Sequence, residues 1–270
     1  MEERTLGRTD LVLPVIGLGT ALRSTFQVPE GEEDRAQEVV DAALEAGVRL
    51  FDTSPMYGRS EEILAQALGS RRAVSVIATK VWADTLVEVR SQVARQLDLF
   101  AGRVEILQIH NLRGWQTHLP YLVELHARSA IRAVGATHHE AEALPELVRV
   151  MEERVLHSIQ IPYNPIEREV ERHVLPLARE LGIGVIALRP LAKGKLRPPA
   201  SSELGRLNVR TWGQALLKWA LSDRRVTAVI PATGSSIRPF ENAEAGDPPW
   251  FTDEERERVS WLARASFANT

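Results

Sequence analysis

Apolar residues in this chain gather into short runs, most of them unbroken rather than alternating with polar ones. Runs rich in Val and Ile begin at Val15 (VIGLG), Val48 (VRLFD), Val74 (VSVIATK), Val104 (VEILQIH), Ile131 (IRAVGAT), His157 (HSIQIPY), Gly184 (GVIALRP) and Thr227 (TAVIPAT). Continuous hydrophobicity of this length suits parallel strands covered on both faces. Stretches of helical period lie between the runs. In AQEVVDAALEAG the residues Ala36, Val39, Val40, Ala43 and Leu44 share one face and Gly47 closes the C-terminus. Thr85 and Glu88 make a capping-box start for a long helix that Gly102 ends.

The run starts from Val48 to Gly184 stand 26, 30, 27, 26 and 27 residues apart, the length of one strand, one helix and two short loops. Eight such units predict an α/β chain folded as one (β/α)8 TIM barrel domain over residues 1–270. From Gly184 to Thr227 the interval is 43 residues. Its surplus, LAKGKLRPPASSELGRLN from Leu191, predicts a long βα loop over the barrel mouth. Before Val15, RTLGRTDLVLP places a turn at Gly7 to Asp10 between two extended runs, predicting an N-terminal β-hairpin that closes the barrel floor. PPWFTDEERERVSWLARA predicts a C-terminal helix on the outside.

Composition narrows the partners. A net charge of −3, from 33 basic and 36 acidic residues, supplies neither a basic field for nucleic acid nor a polybasic tract for a membrane surface. With no cysteine there is no disulfide framework and no thiolate metal site. The start MEERTLGRTD lacks the basic and apolar regions of a signal peptide, and no apolar run approaches the ~20 residues of a membrane helix. A cytoplasmic location is the expectation.

Three runs in succession stop on chemistry-bearing residues. Asp52 and Tyr57 lie at and just past the end of RLFDTSPMYG, Lys80 ends VSVIATK, and His110 ends VEILQIH. Strand ends are where a parallel barrel presents reactive side chains. Taken singly, Asp52 is a turn or cap former, Tyr57 an ordinary half-buried aromatic, Lys80 a solvated strand end and His110 a core histidine. Jointly they lie on adjacent staves and point at one face. A phenol with a pKa of ~10 needs ~3 units of help, roughly 4 kcal/mol, to act near neutrality. A unit charge ~4 Å away at an effective dielectric of ~20 supplies about that much. On this reasoning Lys80 brings Tyr57 into range, Asp52 keeps Lys80 charged and oriented, and His110 hydrogen-bonds a substrate oxygen. The set describes a device that exchanges a proton with a carbonyl or alcohol oxygen while a bound cofactor carries hydride.

No Rossmann fingerprint is present; GLGT at Gly17 to Thr20 lacks the third glycine. The last run is more useful. IPATGSSIRPFEN leads from a strand end through small hydroxyl residues into a helix start carrying Arg238, a suitable place for a phosphate. Gln160 ends another strand with an amide suited to a carboxamide partner.

Taken together, FDTSPMYG, ATKVW, LQIHN, QIPYNP and IPATGSSIRPFEN resemble the successive signatures of the aldo-keto reductase family, in order and across essentially the whole chain. The resemblance implies reduction of aldehydes or ketones with a nicotinamide cofactor, NADPH in preference with NADH possible, and no metal. It implies that Tyr57 is the proton donor, that Lys80 and Asp52 tune it, and that His110 orients the carbonyl. It also implies a cofactor site of Gly19, Thr20, Asp52, Thr137, His138, Gln160, Arg189, Leu191, Thr233, Ser235, Arg238, Glu241 and Asn242. Of these, Gln160 and Thr137 meet the carboxamide, Arg238 the 2′-phosphate, and Glu241 and Asn242 the adenine. Three positions depart from the family pattern: Thr137 and His138 replace a Ser-Asn pair, Leu188 stands where an aromatic ring commonly stacks on the nicotinamide, and Ala232 replaces a phosphate-binding lysine.

The substrate side is expected to include Trp82 with Tyr57 and His110, and Trp115 and Trp250 are further candidates for an apolar wall. With the chain ending soon after the terminal helix, an open site and broad selectivity are expected. Two rival readings remain. A metal-dependent barrel hydrolase would use Asp52, His110 and His138, but VIGLG carries no paired histidines. A cofactor-binding redox sensor or regulatory subunit with little turnover would keep the cofactor site without the activity.

Overall fold

A computed structural model describes residues 1–267 of the chain. The first two strands, β1 (Glu3–Thr5) and β2 (Val12–Pro14), pair antiparallel as the expected hairpin. Eight parallel strands follow: β3 (Leu18–Gly19), β4 (Leu50–Asp52), β5 (Val76–Val81), β6 (Val104–His110), β7 (Ile131–Thr137), β8 (Ser158–Pro162), β9 (Gly184–Leu188) and β10 (Ala228–Val229). Each pairs with its sequence neighbours, and parallel bridges Ile16 to Val229 and Gly19 to Ala232 join the last strand to the first. The sheet therefore closes into the (β/α)8 barrel that the run spacing predicts.

Two apolar clusters flank this wall. Leu6, Leu11 and Leu13 of the hairpin pack against Leu50, Ala78, Ile106, Ala133, Ile186, Ala228 and Ile230, which point into the barrel, so the hairpin is its floor. The larger cluster fills the space between the strands and the outer helices. β6 is buried at all seven positions, Glu105 and Gln108 included, and Arg72 pairs with Glu105 at 3.0 Å.

Helix ends follow the local chemistry. The helix Asp34–Glu45 stops at Gly47, whose φ of +88° is open to glycine. There Val48 N–H donates to Ala43 O and Gly47 N–H to Leu44 O, a Schellman closure. Thr85 and Glu88 form the expected reciprocal cap on the helix Leu86–Leu99, and Thr211 with Gln214 repeats it on Trp212–Leu221.

The segment from Leu191 differs from expectation. It is not a plain loop: it carries a 3-10 turn, Ala192–Gly194, and a helix, Ser201–Arg206. Leu196 and Leu207 are buried in the outer cluster, and Glu203 binds Arg258 at 2.8 Å, which ties the insertion to the C-terminal helix Asp253–Phe267. Among the described residues, no helix is long and apolar enough to cross a membrane.

Candidate active site

β4, β5 and β6 end at the C-terminal face, and the register places Asp52, Lys80 and His110 at or next to the last positions of adjacent staves. Asp52 pairs with Ala78, Lys80 with Gln108, His110 with Thr137, and Thr137 with Gln160. Lys80 is 1% exposed and Asp52 4%. Lys80 Nζ donates to Asp52 Oδ1 at 2.9 Å, to Oδ2 at 2.8 Å and to Thr53 O at 2.7 Å, which uses all three ammonium protons. Asp52 Oδ2 also accepts from Gln160 Nε2 at 2.9 Å. Burial alone would pull the lysine toward neutrality; the Asp52 charge, with Tyr57 and the direct hydrogen bond, outweighs it and holds Lys80 above its ordinary pKa.

Tyr57 sits on the 3-10 turn Pro55–Tyr57, which Ser54 caps by accepting from Met56 N–H. Ser54, and not Asp52, is thus the cap of the DTSP segment. The Tyr57 ring meets the His110 ring edge-on, with centroids 5.9 Å apart, and Lys80 Nζ lies 5.5 Å from the Tyr57 ring centre. At 5.5 Å and an effective dielectric of ~20 a unit charge acts with about 3 kcal/mol. The expectation that Lys80 brings the phenol down is not met. Burial pushes the Tyr57 phenol above its ordinary pKa, Asp52 adds to the rise, and the opposing Lys80 and Arg189 charges do not overcome them. Tyr57 is therefore held as the protonated acid.

His110 is 6% exposed, and its Nδ1 lies 2.8 Å from Ser54 Oγ. Burial first, then the positive field of Lys80 and of the neighbouring His139 and His138, lowers its pKa to about 3. The imidazole is neutral at any working pH.

The other expected positions divide into three groups. Thr137 and Gln160 face the same end of the barrel, 2% and 1% exposed, and Gln160 Oε1 is buried with no partner among the described residues. Arg189, at φ +54°, donates to His139 O at 3.0 Å and acts on Tyr57, with half-buried Leu191 beyond it. His138 turns back on its own loop, accepting from Glu140 N–H at 3.1 Å, and stacks on His139. Thr233 Oγ1 accepts from Ser235 N–H and Ser235 Oγ from Ile237 N–H, shaping the turn into the helix Arg238–Glu244. On that helix Arg238 is exposed and ion-paired with Glu241, while Asn242 is buried.

Some expectations change. Gly19 and Thr20 are buried, and the Thr20 hydroxyl is satisfied internally: it donates to Asp52 O at 3.0 Å and accepts from Ser60 Oγ at 2.6 Å, so it braces the strand end. Trp250 belongs to the opposite end of the barrel, where its Nε1 donates to Glu2 Oε2 and Arg4 stacks on its ring. Trp115 donates to Glu146 on the helix Leu144–Glu152. Trp82 alone remains beside the site. Gln92 grips its backbone N–H and C=O at 2.9 and 2.8 Å, and the Arg113 guanidinium covers one ring face at 4.6 Å.

Several residues escaped the sequence reading. Thr53 contributes a backbone carbonyl, which no side-chain pattern reveals. Ser54 stands in the same DTSP stretch, where its residue type gives no sign of a histidine partner 56 positions away. Glu61, fully buried, accepts from Thr79 Oγ1 at 2.6 Å and Gln96 Nε2 at 2.9 Å, and Gln96 also donates to Lys80 O at 2.8 Å. These bonds pin the end of β5 on which Lys80 sits. Among the described residues, no group of three His, Cys, Asp or Glu side chains is placed to hold a metal ion.

Comparison with known proteins agrees with this geometry. The sequence profile described as the Aldo/keto reductase family matches residues 15–262. The chain is 30% identical over 222 residues to the aldo-keto reductase YhdN of Bacillus subtilis, covering 75% of this chain and 66% of that protein. It is 33% identical over 233 residues to the NADH-specific methylglyoxal reductase of Escherichia coli, covering 73% and 69%. The matched stretch thus spans about two thirds of these relatives' length. In fold the chain is similar to holo aldo-keto reductase AKR11C1 from Bacillus halodurans, with a TM-score of 0.81 at 24% identity over 98% of this chain and 97% of that one. Barrel, converging strand ends and matching profile lead to one assignment: the chain belongs to the aldo/keto reductase family of NAD(P)H-dependent oxidoreductases.

Proposed function

We propose that this protein reduces an aldehyde or ketone to the alcohol, reversibly, with Tyr57 giving the proton to the carbonyl oxygen. The observation that carries this is the convergence of one protonated phenol, one charged lysine and one neutral imidazole at adjacent strand ends. A reduced nicotinamide held at this site would supply hydride for the carbonyl carbon.

The chain's own residues do the rest. His110, neutral, offers a ring N–H to the carbonyl oxygen and orients it against the Tyr57 hydroxyl. As the phenol loses its proton, negative charge grows beside the Lys80 ammonium, which Asp52 and Thr53 O hold in place. Solvent then returns the proton to Tyr57. Gln160 fits a carboxamide: Asp52 fixes its Nε2, leaving the buried, unpartnered Oε1 to accept from an amide N–H. Thr137, on the neighbouring strand, is the second carboxamide contact. Thr233, Ser235, Arg238, Glu241 and Asn242 form the far end of the cofactor site, with Gly19, Arg189 and Leu191 between.

For the cofactor we propose NADPH over NADH, with Arg238 as the phosphate ligand. The ion pair with Glu241 must open for this, and Ala232 adds no second cation, so the preference is modest, about tenfold. The E. coli relative's preference for NADH makes the ratio worth measuring directly. Methylglyoxal is a sensible first substrate for the same reason. Tyr57→Phe tests the reading: carbonyl reduction falls at least ~10²-fold while cofactor binding persists. Turnover retained in that variant refutes it.

A further inference from the structure

We propose that Ser54 is the positioning residue for His110: its hydroxyl donates to Nδ1 and fixes the imidazole as the tautomer that carries its proton on Nε2. This rests on the reading that His110 donates to the carbonyl oxygen, and it identifies what makes that donation possible.

A neutral imidazole has one N–H, and only the nitrogen that carries it can donate. Ser54 Oγ lies 2.8 Å from Nδ1, and the same oxygen accepts from Met56 N–H at 3.2 Å. Two proton arrangements satisfy the short contact. In the first, the serine O–H points at Nδ1, the lone pair takes Met56 N–H, and the histidine proton sits on Nε2. In the second, Nδ1–H points at Oγ, which then accepts twice and must send its own hydrogen elsewhere. Ser54 is fully buried, and among the described residues its oxygen has no other hydrogen-bond partner. The second arrangement leaves a buried donor unmade, which is costly. The first satisfies both the hydroxyl and Nδ1; the Nε2–H has no partner among the described residues but is not fully buried, so it is left to meet a substrate oxygen.

Placement supports the same role. Ser54 has extended backbone, φ −163° and ψ 146°, and caps the turn that carries Tyr57, so the backbone holds its hydroxyl in place. One six-residue stretch therefore controls the whole set. Asp52 and Thr53 O hold Lys80, Ser54 holds His110, and Tyr57 is the acid.

The test is 15N NMR of the histidine rings in the cofactor-free protein. His110 in the wild type should show a pyrrole-type Nε2 and a pyridine-type Nδ1, with the other neutral tautomer at least about tenfold rarer. Ser54→Ala should mix the two tautomers and lower kcat about tenfold while cofactor Kd stays unchanged; Ser54→Thr, which keeps the hydroxyl, should restore both. A pyrrole-type Nδ1 in the wild type overturns the proposal, as does a tautomer ratio unaltered in Ser54→Ala. If Ser54→Ala does not fold, the wild-type spectrum alone decides. The spectrum is read without substrate, so its failure leaves the Tyr57→Phe result standing, whereas an active Tyr57→Phe overturns the function and not the tautomer.

Discussion

Replacing His110 by glutamine should flatten the pH dependence of stability between pH 7 and pH 5. In the folded protein His110 has a pKa of about 3, because burial and then the Lys80 charge oppose protonation; unfolded, its value returns to ~6.5. Between these values the unfolded chain binds the proton and the folded one does not. Stability contributed by the neutral buried ring is complete above pH ~6.5 and falls as pH drops toward 3. At pH 5 the unfolded state is favoured by a binding factor of about 30, so the wild type loses about 2 kcal/mol from this residue alone relative to pH 7. A folded value of 4 in place of about 3 changes the result by under ~0.1 kcal/mol, because pH 5 lies above both. The assay is urea unfolding of both proteins at pH 7 and pH 5, comparing the two differences. His157, lowered to about 4 by burial and by His126, contributes equally to both proteins and cancels. Wild type and His110→Gln losing the same stability over this interval would refute the argument. The same value implies that imidazole protonation sets no acidic limb on the rate between pH 5 and 8.

Lys80→Met leaves the Asp52 carboxylate buried without its cation and should cost about 3–5 kcal/mol in denaturant unfolding at pH 7. Adding Asp52→Asn should recover most of that stability without restoring reduction; a double variant as unstable as the single would show that the pair is not what holds this end of the barrel. Gly7→Ala should destabilise by more than about 2 kcal/mol, since φ is +53° and a Cβ there would stand 2.5 Å from both Gly182 O and Gly184 N; an unchanged unfolding midpoint would argue against the close contact of the hairpin turn with the start of β9. Arg238→Ala should weaken NADPH binding about tenfold and leave NADH alone, while Ala232→Lys should widen the gap; equal Kd values for the two cofactors in the wild type would remove Arg238 from the phosphate site.

Strand positions were readable along the chain because a barrel stave is covered on both faces and is therefore mostly apolar, the exceptions being residues such as Glu105, which Arg72 pairs, and Arg132, which is exposed. Val104–His110 and Ile131–Thr137 appear at the boundaries their runs suggest. The catalytic set was readable for the complementary reason: Asp52, Lys80 and His110 interrupt runs that have no other cause to stop on a charge or an imidazole. Local chemistry that operates within a few residues, such as the Thr85–Glu88 cap and the Gly47 closure, also needs no more than the sequence. Net electrostatics did not follow from it. Lys80 was expected to lower the Tyr57 phenol, but the outcome depends on how deeply the ring is buried and on the opposing Asp52 charge, both set by packing. The same holds for partners remote in sequence. Gln160 and Asp52, 108 positions apart, meet because β4 and β8 face one another across the barrel; Trp250 goes to the floor because it packs on Glu2 and Arg4. Residue types and periodicity are properties of short stretches and are written in the chain, whereas burial depth, the sign of a net field and the choice among distant hydrogen-bond partners arise only when the barrel closes.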